Sequence, residues 1–286
     1  MTKHVTFGGD RRVSRLGFGA MRLPARGWDG PRGDRETALA VLRRAVELGV
    51  NHIDTAAFYS YEDLSSNELI RTALRPYPED LVIATKVGPR RGPGGWLPEA
   101  GPGDLRASVE ENLAGLGRDH LDLVYLRVGL METSEEPIEE RFAVLAALRE
   151  EGLIRHLGLS NVTAKQLAEA RDIAPVVAVQ NHFHLTRQDD LDLFAECERE
   201  GIAYVPFFPL GGFGLPDDGR IRRIADRHGA TVAQVMLAWL LARSPVTLAI
   251  PGTSSLAHLA ENMAAADLVL DEREVAELNA IGTEDQ

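Results

Sequence analysis

Asp54, Tyr59 and Lys86 are an acid, a phenol and an amine, each at or just beyond the end of a strand-like run. A tyrosine in water holds its proton up to about pH 10, too high for efficient exchange near neutrality. A lysine cation beside it favours the phenolate, and an aspartate beside the lysine holds that cation in place. Such a phenol can protonate a carbonyl oxygen while a hydride reaches the carbon. The same three residues also fit a plainer arrangement, a buried Asp54–Lys86 pair with Tyr59 as a pocket wall. Spacing alone leaves both open. A fourth residue, Arg127, ends the apolar run "LDLVYLR", where a permanent cation needs a reason to be. It either faces a substrate or turns away to pair with an acid, and Asp54 or Glu132 can absorb part of its charge.

These residues need a frame that brings distant strand ends together. Strand-like runs lie at 15–20, 51–55, 81–86, 121–126, 154–160, 176–181, 202–207 and 246–251. Amphipathic helical stretches lie between or after them at 35–48, 66–74, 104–116, 137–151, 163–173, 189–200 and 219–243. Thr163, with Ser160 and Asn161, is placed to cap one helix, and Pro137 fits the first turn of another. Gly49, Gly117, Gly152 and Gly201 follow helical patterns where a C-terminal glycine belongs. Residues 1–12 read as a hairpin turning at Gly8-Gly9-Asp10. Eight alternating units without a composition shift predict an α/β fold, a (β/α)8 TIM barrel, as one domain over 1–286 with a short N-terminal β-hairpin. A doubly wound sheet also alternates but is expected to show a break. In a barrel, the chemistry belongs at the C-terminal strand ends.

Composition narrows the partners. The chain has 286 residues, 44% hydrophobic and 26% charged, with a formal charge of −12, which argues against nucleic acid or an anionic membrane surface. No apolar run suits a bilayer or a secretory leader, so a cytoplasmic location is expected. The single cysteine, Cys197, rules out an internal disulfide and reads as a buried inert thiol. His182 and His184 alternate around Phe183, but no third ligand has suitable spacing, so no metal is expected. His52 and His156, inside strands, read as core residues. The "PRRG" pair, Arg90 and Arg91, reads as a solvated loop.

Five segments taken together, "NHIDTAAFY", "ATK", "GLIRHLGLSNVT", "VQN" and "IPGTSS…ENMAA", resemble the aldo-keto reductase superfamily in order and across nearly the whole chain. The resemblance implies a TIM barrel that binds NADPH and reduces aldehydes or ketones, with Asp54, Tyr59 and Lys86 in the roles above and Tyr59 as general acid. The family's fourth member is normally a histidine at the end of strand four, where this chain has Arg127. Arginine can donate from a planar fork but cannot act as a titrating relay.

For the cofactor, "GFGAMR" lacks the third glycine and the following helix of a Rossmann loop. The resemblance instead puts the backbone of Gly19, Ala20 and Met21 near the nicotinamide, with Asp54. It assigns Ser160, Asn161 and Gln180 to the carboxamide and Phe207 to the ring, where many relatives have tyrosine. Phe208, Leu210, Gly211 and Gly212 fall in the "PLGGFG" region that would wrap the pyrophosphate. Pro251, Gly252, Thr253, Ser254 and His258 cover the 2′-phosphate segment, with Gly252 and His258 replacing the usual lysine and arginine. Glu261 and Asn262 match the adenine-contacting pair. NADPH is expected over NADH.

Arg127 favours a substrate with a second oxygen or an anionic group beside its carbonyl. The pattern around it most resembles a bacterial branch associated with pyridoxal reduction, and Phe58, Trp96, Met131 and Phe213 are the expected pocket walls, with Trp28 nearby. The short stretch after the last helical pattern implies little or no C-terminal lid, and a monomer is expected. Two rivals stand beside the carbonyl reductase: a cofactor-holding redox sensor with weak turnover, and a reductase of C=C bonds. Tyr59-dependent turnover of a carbonyl panel separates them.

Overall fold

In a computed structural model, which describes residues 3–27, 30–92, 95–212 and 214–283, seven strands form one parallel sheet in chain order. They are Phe18–Gly19, His52–Asp54, Val82–Val87, Leu121–Arg127, Ile154–Ser160, Val176–Gln180 and Ala203–Tyr204, numbered one to seven below. The segment 246–251, expected as strand eight, closes the ring without being a regular strand. It bridges Tyr204 to Thr247 and Leu16 to Ala249. Leu248 N donates to the Tyr204 carbonyl at 2.9 Å, and Gly17 N to the Ala249 carbonyl at 2.9 Å. Arg15 reinforces the seam by donating to the carbonyls of Thr247 (2.9 Å), Leu241 (2.7 Å) and Ser244.

Burial follows from this closure. The fourth strand is buried at all seven positions, as its continuous apolar run predicts for a strand covered on both faces. Helices pack on the outside, and a second cluster including Val82, Ala84, Leu123, Tyr125, Ala178, Ala203 and Leu248 fills the barrel. Val5, Phe7 and Val13 of the N-terminal hairpin join that inner cluster. The hairpin strands His4–Phe7 and Arg11–Ser14 turn at residues 8–10, as expected.

Local signals predicted several helix ends well. Thr163 accepts from Gln166 N in a reciprocal capping box, and the helix runs Ala164–Ile173. Two expectations need correction. The stretch 219–243 is two helices, Gly219–His228 and Val232–Arg243, because Gly229 adopts φ +57° and Thr231 starts a new capping box. Pro137 stands outside its helix, which begins at Glu139 after the N-cap Ile138. No described helix is long and apolar enough to cross a membrane.

Candidate active site

The parallel register carries the polar residues to one rim. Asp54, Arg127, Ser160 and Gln180 are each the last residue of their strands, and Arg127 faces Ser160, which faces Gln180. Lys86 is in the third strand level with Tyr125. Tyr59 follows strand two in a short turn, tied by Tyr59 N to the Ala56 carbonyl (3.0 Å) and Ser66 N to the Tyr59 carbonyl (2.9 Å).

At the centre of this rim, Lys86 Nζ donates to Asp54 Oδ1 at 2.5 Å and to the Thr55 carbonyl at 3.2 Å. Asp54 Oδ2 accepts from Gln180 Nε2 at 2.7 Å. Both members of the ion pair are buried, so their desolvation has to be offset by such hydrogen bonds on the remaining atoms. The Lys86 ammonium lies 4.9 Å from the centre of the Tyr59 ring, and Phe58 packs edge-on against Tyr59 at 5.1 Å.

Arg127 does not turn away to an acid: among the described residues, no carboxylate lies within ion-pair distance of it. Nη1 donates to Ser160 Oγ at 2.9 Å, Nη2 donates to the Leu130 carbonyl, and the guanidinium lies 4.5 Å from the Phe207 ring centre. Burial works against its charge, while Tyr59, Asp54 and Glu99 work for it. Glu132, a candidate partner from sequence, is instead 3.4 Å from Arg187.

A cavity of about 860 Å³ opens over this rim. Tyr59, Asp54, Arg127, Phe58, Trp96 and Met131 line it at one end. Gly19, Met21, Gln180, Phe207, Phe208, Leu210 and Gly212 continue its wall. Pro251, Gly252, Thr253, Ser254, His258, Glu261 and Asn262 complete the set of sequence-predicted residues on the lining. Lys86 is not on the wall but behind Asp54, and Ala20, Ser160, Asn161 and Gly211 are also off it. Ala20 is buried, its carbonyl accepting from Ser66 Oγ at 2.9 Å. Asn161, at φ +60°, spends its Nδ2 on the carbonyls of Val128 (2.8 Å) and Glu132 (2.7 Å), bracing the loop after strand four. Gly211 makes a turn, its N donating to the Phe208 carbonyl at 2.9 Å. Phe213 and Trp28 lie outside the described residues.

Several lining residues escaped the sequence reading. Arg22 follows directly on the segment already assigned to the cofactor and Arg26 stands four positions beyond it, while Leu130 adjoins Met131 and Leu215 is two positions past Phe213. Arg22 donates to the carbonyl of Gly212, joining the loop after strand one to the loop after strand seven. Its position beside Met21 was the available signal. The expected solvated pair is also more than that: Arg91 donates to the Ser60 carbonyl at 2.9 Å and stacks on Trp96, which packs 5.9 Å from Phe58.

Gly252 explains one departure from the usual pattern. A Cβ there would lie 2.6 Å from the Gly19 carbonyl oxygen, so no side chain fits without movement of the first strand. Hydroxyls stand next to it: Thr253 Oγ1 accepts from Ser255 N at 3.1 Å, and Ser255 caps the helix Leu256–Ala264. His182 stacks on Phe207 at 4.9 Å, 5.1 Å from His184. Burial and Arg187 push their pKa values down to about 3 and about 4.

The comparisons with known proteins agree with this geometry. Pyridoxine 4-dehydrogenase of Escherichia coli is 49% identical over 280 residues, covering 96% of this chain and 97% of that protein. The crystal structure of the thermostable aldo-keto reductase Tm1743 with the inhibitor epalrestat superposes with a TM-score of 0.84 at 30% identity, covering 99% of this chain and 100% of that one. An aldo-keto reductase from Klebsiella pneumoniae in complex with NADPH gives 0.80 at 27% identity, with coverage of 98% and 95%. The model of the Aldo/keto reductase family matches residues 15–283. An acid–amine pair beneath a tyrosine, at the C-terminal rim of a parallel barrel, therefore has a family: the chain belongs to the aldo/keto reductases.

Proposed function

We propose that this protein reduces a small aromatic aldehyde to its alcohol with NADPH as the hydride donor and Tyr59 as the general acid, and that pyridoxal is its leading substrate. The observation that carries the reading is the shared cavity. Tyr59, Asp54 and Arg127, which has no carboxylate within ion-pair distance among the described residues, stand at one end of it, and two glycine-containing loops stand at the other.

The residues present fit a nicotinamide dinucleotide. Ser160 Oγ accepts from Arg127 and Asn161 gives its Nδ2 to two carbonyls, which leaves a hydroxyl hydrogen and an amide oxygen. These match the acceptor and a donor of a carboxamide. Arg22 and the loop at 209–212 offer a cation and backbone N–H groups to a diphosphate, as phosphate sites elsewhere do. Thr253, Ser254 and the N-terminus of the helix Leu256–Ala264 suit a 2′-phosphate without a lysine, and this supports NADPH over NADH. When bound, the nicotinamide supplies a hydride to the carbonyl carbon.

The protein's own part is positional and protonic. Tyr59 gives its hydroxyl proton to the carbonyl oxygen as negative charge develops there, and recovers a proton from solvent. Lys86, fixed by Asp54 and the Thr55 carbonyl, keeps a cation beside that phenol. Arg127 has N–H groups beyond the two spent on Ser160 and Leu130, enough to hold the carbonyl oxygen and a second oxygen beside it. Phe58 and Trp96 give apolar walls for a flat ring. Pyridoxal carries an aldehyde next to a phenolic oxygen. Dehydrogenation of pyridoxine at position 4, the activity in the name of the Escherichia coli relative, is the reverse of such a reduction.

The test is NADPH oxidation with pyridoxal, a plain aromatic aldehyde, an α-keto ester and an enone, repeated with Tyr59→Phe. Pyridoxal turnover that falls by about 10²-fold or more in the variant is expected for loss of a general acid. Tight NADPH binding without Tyr59-dependent turnover of any carbonyl would instead point to a redox sensor.

A further inference from the structure

Tyr125 is two residues before Arg127 on strand four, so both side chains leave the strand on its inner face. The Tyr125 ring is fully buried and lies across Gly158 of strand five, its register partner, where a Cβ would come within 2.6 Å of the ring. Gly158 in turn faces Ala178 of strand six, and Gln180 stands two residues further along the same face. The tyrosine therefore reaches over two residues without bulk toward the underside of Gln180.

Two polar atoms meet there without partners. The Tyr125 hydroxyl and Gln180 Oε1 are both buried, and among the described residues neither has a hydrogen-bond partner. The groups are neighbours, and the Asp54 charge is also felt at Tyr125. A phenol has a hydrogen to donate and an amide oxygen can accept it, directly or through one ordered water. Buried polar atoms left unpaired are costly enough to make that contact the favoured arrangement. On its other side, Gln180 gives Nε2 to Asp54 Oδ2 at 2.7 Å, opposite the Lys86 contact on Oδ1.

We propose that Tyr125 and Gln180 are positioning residues, with the Tyr125 hydroxyl fixing which end of the Gln180 amide faces Asp54 and so setting the carboxylate that anchors Lys86. An amide turned the other way would put Oε1 against Asp54 Oδ2, acceptor facing acceptor. The proposal rests on the reading of Asp54, Lys86 and Tyr59 as the proton-transfer set. The groups facing Asp54 are Lys86 from strand three, Arg127 and Tyr125 from strand four, Gln180 from strand six, Tyr59 from its loop and His52 on its own strand. His52 is buried and uncharged at neutral pH.

Without the Gln180 N–H, the charge on Asp54 is less shared and opposes loss of a proton nearby more strongly. Tyr125→Phe in the full chain is therefore expected to lower kcat about threefold to tenfold and to move the alkaline limb of kcat/KM up by about half a pH unit, as loss of one charge-assisted hydrogen bond acting at second hand would do. The NADPH dissociation constant, read by fluorescence, is expected to stay within about twofold, because the hydroxyl removed is off the cavity wall and its effect arrives there only through the orientation of the Gln180 amide. A parental pH profile and kcat in a variant with native circular dichroism overturn the proposal. In a Gln180→Leu background, Tyr125→Phe adds nothing further, whereas additive effects also overturn it. Tyr59→Phe runs alongside: full activity in that variant removes the underlying reading, while an inactive Tyr59→Phe beside a parental Tyr125→Phe removes only this inference.

Discussion

Replacing Arg127 with alanine tests how the barrel has adapted to a fixed cation at the rim. The guanidinium is held by Ser160 Oγ at 2.9 Å, by the Leu130 carbonyl and by the Phe207 ring at 4.5 Å. Two of its five N–H groups are thus committed, and the rest are available at the cavity wall. A hydrogen bond from a charged donor contributes about 1.5–3 kcal/mol. Losing one such contact in the transition state slows kcat/KM by roughly ten- to 150-fold. Stopped-flow NADPH oxidation with pyridoxal and with benzaldehyde gives the measurement, and cofactor affinity should be little changed. The fall should be greater for pyridoxal, whose second oxygen engages the fork. Arg127→Lys separates charge from geometry, because a lysine keeps the cation without the paired donors. It should partly restore benzaldehyde turnover without restoring the preference for pyridoxal. Parental kcat/KM for pyridoxal in Arg127→Ala would refute the argument.

Gly252→Ala puts a methyl group 2.6 Å from the Gly19 carbonyl oxygen. Overpacking of this kind costs about 1–3 kcal/mol, so a lowered thermal midpoint with weaker NADPH binding is expected, measured by differential scanning fluorimetry with and without cofactor. His52 is buried, neither ring nitrogen has a partner among the described residues, and burial holds its pKa down at about 4. Its folded-state pKa is below the unfolded value of about 6.5, so its contribution is present above that pH and is lost as pH falls toward 4. The loss amounts to about 2–3 kcal/mol by pH 4.5. His52→Leu should remove that part of the acid sensitivity, read as the difference in urea-unfolding free energy between pH 7 and pH 4.5. Asp190, whose carboxyl is pushed up to about 6 by burial, acts with the opposite sign over the same range in both proteins and cancels in the comparison.

Features carried by short segments were legible in the sequence. A strand pattern ending in Asp54, another ending in Lys86 and a third ending in Arg127 needed only strand periodicity and the rule that barrel chemistry gathers at C-terminal strand ends. The Thr163 cap and the glycines closing helices follow from local backbone requirements. Segment 246–251 was legible as strand-like but not as the irregular seam it forms, because its pairing depends on residues about 40 and 230 positions away. The single helix expected over 219–243 failed because an apolar pattern that continues past a glycine does not register the turn there.

The sequence by itself determined the set of chemical groups and the order in which strands present them, because both depend on residue type and on neighbours a few positions away. Tertiary structure decided which atoms of those groups are already spent. Ser160, Asn161 and Gln180 were expected as free hands for a cofactor, yet Ser160 accepts from Arg127, Asn161 gives its Nδ2 to two carbonyls of the loop after strand four, and Gln180 gives Nε2 to Asp54. The reach of Arg22 to Gly212 and the close approach of Gly19 to Gly252 were likewise invisible until the ring closed. A hydrogen bond is a property of two atoms within about 3 Å, and only the closed barrel brings residues more than a hundred positions apart to that distance.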